Sequence, residues 1–140
     1  MLVRRRLLFL TRGLGDNVGA LPGSPLRWMT RVSDNLTGVY ERVRDDPEVR
    51  EYIRLADEAM AAIGYTEHGM RHVTTVASNA RMILERLGYS KEEAELAKLA
   101  GLLHDLGNMV ARANHAQTGA VLALHLLPRF GLSPLQVGVV

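Results

Sequence analysis

The chain has 140 residues, 47% hydrophobic and only 5% aromatic, which suits a single domain with a core of Leu, Ala, Val and Met. It contains no cysteine, which excludes disulfides and thiolate metal ligands; any metal must be held by His, Asp, Glu or water. The net charge of +2 is unevenly spread: residues 1–31 carry six Arg against one Asp, while the rest carries 11 basic and 14 acidic side chains. The body therefore lacks the basic face that a nucleic-acid surface needs, and nucleic acid is not an expected partner.

Residues 1–36 read as an irregular or disordered basic segment, and 37–140 as a helical domain. TRGLGDNVGALPGSP is rich in Gly and Pro and has no sustained period. GLGDNVG resembles a dinucleotide fingerprint only superficially, because its glycines are misplaced and no strand precedes it. Met29 is an alternative start. MLVRRRLLFL has an apolar run of only Leu7 to Leu10, shorter than the roughly 7–15 residues of a secretory signal core. No stretch reaches the ~18–20 apolar residues of a membrane span. A cytoplasmic protein with no membrane partner is expected.

From Asp45 the chain reads as helices. Asp46 is a candidate N-cap and Pro47 suits the first helical position. Val49, Ile53, Ala56 and Met60 then share one face, and Gly64 ends the helix. Thr66 or Glu67 opens the next, whose apolar residues run from Met70 through Val73, Val76, Ala77, Ala80, Ile83 and Leu84 to Leu87, before Gly88. Ser90 and Glu93 form a capping box for a third helix carrying Leu96, Leu99, Leu102, Leu103 and Leu106, broken by Gly107 and Asn108. Asn114 can cap a fourth, from about His115 to Leu127. Ser133-Pro134 starts a fifth that the chain leaves almost at once. No segment alternates like a strand, so the expected class is all-α, a bundle of about five helices with the last one truncated.

The candidate chemistry lies in five histidines and one acid. In LLHDLGN, His104 and Asp105 are neighbours, which point about 100° apart on a helix, so one buried face cannot take both. At a helix end both can bind one ion; as a dipeptide alone, a solvated helix terminus is the better reading. An imidazole with a carboxylate suits Mn, Fe, Co, Ni or Zn more than Ca or Mg. His72 lies at the edge of the Val73, Val76, Ala77 face; alone, it reads as a core histidine bonded to a carbonyl. His68 and His72 share a helix face, but Gly69 and Met70 replace the Glu of a zinc protease, so that reading is rejected. His68 is expected as a supporting or helix-start residue. His115, near a helix N-terminus, reads equally as a surface residue or as a ligand to a second metal or a phosphate contact. His125, among leucines, reads as structural.

The combination of His72 in HVTTVA, then AGLLHDLGN, then NHAQTGA resembles the HD-domain superfamily of metal-dependent phosphohydrolases over about residues 46–135. GLLHDLG behind a correctly spaced His is far more specific than the dipeptide. The resemblance implies a helical bundle with a divalent metal ion (Mn, Fe, Co, Ni, Zn or Mg) in its centre. It implies His72, His104 and Asp105 as metal ligands, His115 as a further ligand or phosphate contact, and Asp105 as the catalytic group orienting water. The implied reaction is hydrolysis of a phosphomonoester or phosphodiester, such as a nucleotide, with a small phosphorylated molecule as partner.

Two departures stand out. Many members have Lys where this chain has Asn108, and the family's last ligand is a later Asp, whereas no Asp or Glu follows Asp105 here. The chain is then a piece of a longer protein, or binds metal through three residues and water, or borrows a ligand from another chain. Two alternatives to catalysis follow: a metal- or nucleotide-binding module without turnover, and an incomplete fragment that pairs as a homo-oligomer to cover its apolar faces.

Overall fold

A computed structural model describes residues 36–140. The basic segment and its GLGDNVG stretch lie outside the described residues. Among the described residues there are six α-helices and no strand, so the all-α expectation holds. The helices are α1 (Val39–Asp45), α2 (Pro47–Ala62), α3 (Met70–Arg86), α4 (Lys91–Leu103), α5 (His115–Leu126) and α6 (Pro134–Val139). Two 3-10 turns, Leu106–Met109 and Leu127–Phe130, follow α4 and α5. No described helix is long and apolar enough to cross a membrane.

Local chemistry sets most boundaries. Asp46 Oδ1 accepts from the Glu48 and Val49 amides at 3.0 and 3.1 Å, and Pro47 occupies the first turn of α2. The face predicted for α2 is the one buried: Val49, Ile53, Ala56 and Met60. The Ser90–Glu93 box is formed in both directions at the start of α4. Replacing Ser90 by Ala should lower stability by about 1 kcal/mol in urea unfolding, with the fold retained; an unchanged midpoint would show that the cap contributes nothing. Ser133 and Gln136 make a second box for α6, the expected fifth helix.

Other boundaries differ from the sequence reading. The chain is already helical at Val39, where α1 buries Val39, Tyr40 and Val43. The second predicted helix begins at Met70, not Thr66. The Asp57 carboxylate of α2 accepts the His68 amide at 2.6 Å and holds that stretch non-helical. Along α3 only Val73 and Ala77 are fully buried; Ile83 and Leu87, expected on the core face, are 52% and 62% exposed. Asn114 precedes α5 but its side chain does not cap it. It sits in the left-handed region at φ 60°, which Asn tolerates better than most residues.

The core joins α1 to α4 through Val43, Val49, Ile53, Val73, Leu99 and Leu102, and is closed by Leu106, Leu126 and Leu127. Each such buried aliphatic side chain contributes roughly 1.5–3 kcal/mol. α3 runs against α4, and the first 3-10 turn is packed between α2 and α5. That turn follows His104 and Asp105, so the end of α4 lies where three helices meet.

Candidate metal centre

The end of α4 is reshaped by its own side chains. Asn108 donates its backbone amide and its Nδ2 to the Asp105 carbonyl, at 3.0 and 3.1 Å, and tightens the chain into the 3-10 turn. The same Nδ2 reaches Asp105 Oδ1 at 2.9 Å. Asn108 is buried, so its amide serves the carboxylate.

Around that carboxylate three imidazoles present Nε2. His104 stands 3.1 Å from Oδ2, His72 from α3 stands 3.5 Å from Oδ2, and His115 from α5 stands 4.0 Å from Oδ1. Donor atoms of His68, His72 and Asp105 also lie within 4.8 Å of one another. The His68 ring is 4.9 Å from the His72 ring, and the His72 ring 5.4 Å from that of His104. The Asp105 side chain is only 8% exposed, against 32%, 37% and 28% for His72, His104 and His115. The cluster therefore has a buried acid at its base and open imidazoles above it. His125 is exposed on α5 and takes no part in it.

The outer nitrogens explain the orientation. His104 Nδ1 lies 2.9 Å from the Gly101 carbonyl, His115 Nδ1 lies 3.1 Å from the Arg112 carbonyl, and His68 Nδ1 meets the Thr66 carbonyl. A carbonyl only accepts, so in each ring Nδ1 carries a proton and Nε2 is the atom turned towards the carboxylate; on His104 that Nε2 is itself hydrogen-bonded to Asp105, and an ion bound there would take the place of its proton. This is the arrangement by which outer hydrogen bonds orient imidazole ligands. With one buried carboxylate added, the donor set fits a divalent transition metal ion.

Electrostatics agree. Burial pushes the Asp105 carboxyl up, but the hydrogen bond and charge of His104, with the charges of His68 and His72, outweigh it and leave it below its ordinary value. The bond to Asp105 raises His104 above the usual imidazole value, against burial and with help from the Gly101 carbonyl. Asp105 is thus an anion at neutral pH despite being buried.

Of the residues named from the resemblance, His72, His104 and His115 each lie within 4.0 Å of Asp105, while the donor atoms that lie within 4.8 Å of one another are those of His68, His72 and Asp105, so His68 stands closer to the centre than a helix-start role required. Sequence reasoning missed Arg112. Its Nη1 donates to Asn108 Oδ1 at 3.2 Å and lies 3.3 Å from His115 Nε2, and its guanidinium sits 5.1 Å from the Tyr65 ring centroid. Only its position four residues after Asn108 hinted at this.

Residues 69–137 match the HD domain. An uncharacterized protein of Methanocaldococcus jannaschii, MJ1020, is 27% identical over 104 residues, covering 64% of this chain and 40% of that protein. Ribonuclease Y of Lawsonia intracellularis is 38% identical over 76 residues, 52% of this chain and 14% of the enzyme. Ribonuclease Y of Opitutus terrae is 31% identical over 90 residues, 64% of this chain and 16% of the enzyme. The chain thus spans well under two thirds of the length of these relatives. No solved structure matches it. With the HDLG segment at the centre of the matched region and its histidines gathered on one carboxylate, residues 69–137 of this chain form a domain of the HD superfamily.

Proposed function

We propose that this chain hydrolyses a phosphomonoester or phosphodiester with a divalent metal ion held by His72, His104 and Asp105, and with His68 and His115 beside them. One observation carries the reading: three Nε2 atoms face a single buried carboxylate within 4.0 Å. A bound ion would supply Lewis acidity towards the phosphoryl group and activate water near neutral pH. The chain's own residues do the rest. Asp105 stays ionised, anchors the cluster and orients the attacking water from its free lone pairs. Asn108 holds the carboxylate in one rotamer. The Gly101 and Arg112 carbonyls hold the His104 and His115 rings in place through Nδ1. His68 and His115 supply further nitrogen donors beside the carboxylate. The substrate is a small phosphorylated molecule, and a cytoplasmic setting suits a chain without cysteine.

The test is phosphate release from a panel of phosphomonoesters and diesters by protein loaded with Mn, Fe, Co, Ni, Zn or Mg. Release should stop on chelation and return when the ion is restored. Stoichiometric metal with no turnover on any substrate would overturn hydrolysis in favour of a binding module. The commitment of Asn108 to Asp105, where other members place Lys, is the observation that favours that second reading.

A further inference from the structure

We infer that Arg112 is the phosphate-recognising residue of this site, taking over the role left open by Asn108; the substrate class comes from the phosphohydrolase reading above. Asn108 cannot play that part. It carries no charge, it is 3% exposed, and its Nδ2 is spent on Asp105. Arg112 lies one helical turn further on, is exposed, and sits over the same cluster.

Three observations taken together separate Arg112 from an ordinary surface arginine. First, its charge is not matched. Arg44, Arg50, Arg54, Arg71, Arg81 and Arg129 each have a carboxylate partner, whereas among the described residues Arg112, like Arg42 and Arg86, has none, and of these three it alone lies at the histidine cluster. Second, its contacts use Nη1 alone, so the Nε and Nη2 donors have no partner among the described residues. Those two N–H groups form the planar fork that matches two phosphate oxygens. Third, the guanidinium is placed before any ligand arrives. Asn108 and His115 hold it from below and the Tyr65 ring from the side, joining the α2–α3 loop to the segment before α5. An ordered side chain loses less entropy when it binds.

Charge explains why the ligand must be an anion. A cation among the imidazoles would stand close to the guanidinium, since Arg112 Nη1 already lies 3.3 Å from His115 Nε2. Like charges at such range repel unless an anion lies between them. A phosphoryl group can bridge both; a neutral ester cannot.

The experiment is titration of inorganic phosphate into the full chain, Mn-loaded and metal-free, by calorimetry, with metal content measured on the same samples. The proteins are wild type, Arg112→Ala, Arg112→Lys and, as a charge-matched control at the far end of α3, Arg86→Ala. Phosphate binding should weaken roughly tenfold or more in Arg112→Ala, recover partly in Arg112→Lys and stay unchanged in Arg86→Ala, with equal metal in all four. The inference is overturned if Arg112→Ala binds phosphate like wild type, or if it loses metal in step with phosphate, because Arg112 would then act only by holding His115. It is equally overturned if the metal-loaded wild type binds no phosphate. If wild type takes up no metal yet binds phosphate through Arg112, the inference stands and the metal-dependent reading of the site falls.

Discussion

Replacing Asp105 by Asn should abolish metal retention and leave the helices folded. Among the described residues Asp105 is the one carboxylate in the cluster. The variant keeps the side chain's shape, so the neighbouring core residues Leu102, Leu103 and Leu106 should keep their packing. It loses the charge that three Nε2 atoms face and the strong acceptor of the His104 hydrogen bond. Even outer-shell partners of a metal ligand are worth about 10–100-fold in metal affinity, so loss of the carboxylate at the base of the cluster should cost more than about 100-fold. Phosphate release should fall at least as far. Metal content by mass spectrometry, with far-UV circular dichroism on the same samples, decides the matter. Full metal occupancy in the folded variant would remove Asp105 from the centre. His104→Ala should be milder, roughly 10–100-fold, because His68, His72 and His115 remain around the carboxylate.

Gly107→Ala should be the most destabilising single methyl in the described chain. A Cβ at Gly107 would stand 1.9 Å from the His115 carbonyl oxygen and 2.7 Å from the Gly119 amide nitrogen. Both are backbone atoms of α5, so no side chain can swing away to make room. The helix must move as a body, and it carries His115 away from Asp105. Overpacking of this kind costs about 3 kcal/mol. Urea unfolding should show that loss, and metal affinity should fall with it through His115. Gly138→Ala is the matched control. Nothing lies within 4 Å of its added Cβ, and Ala is the better helix former, so α6 should gain about 0.4–1 kcal/mol. Equal effects at the two glycines would mean that α5 does not sit on the 3-10 turn as described.

The two halves of this protein's design were legible to different degrees. Features decided within one turn of chain were readable in advance. Asp46 with Pro47, Ser90 with Glu93, and Ser133-Pro134 mark helix starts, because a cap bonds amides two or three residues away and needs no distant partner. The buried face of α2 follows from its 3.6-residue period. The HDLG segment and its companions His72 and His115 were visible as types at spacings.

Features that depend on remote partners were not. The start of α3 was set by Asp57 of α2, eleven residues before the His68 amide it binds. Ile83 and Leu87 have the period of a core face, yet no described element covers them fully, and they stay exposed. Position 107 reads as a helix breaker in sequence; only the approach of α5 makes a glycine there a steric requirement. The same holds for the centre itself. Sequence marked which residues could bind a cation, since that is set by donor chemistry. Tertiary packing of α3, α4 and α5 decided that His72, His104 and His115 turn Nε2 towards one buried carboxylate, and that Arg112 lies over them, because convergence is a property of how helices cross and not of any one of them.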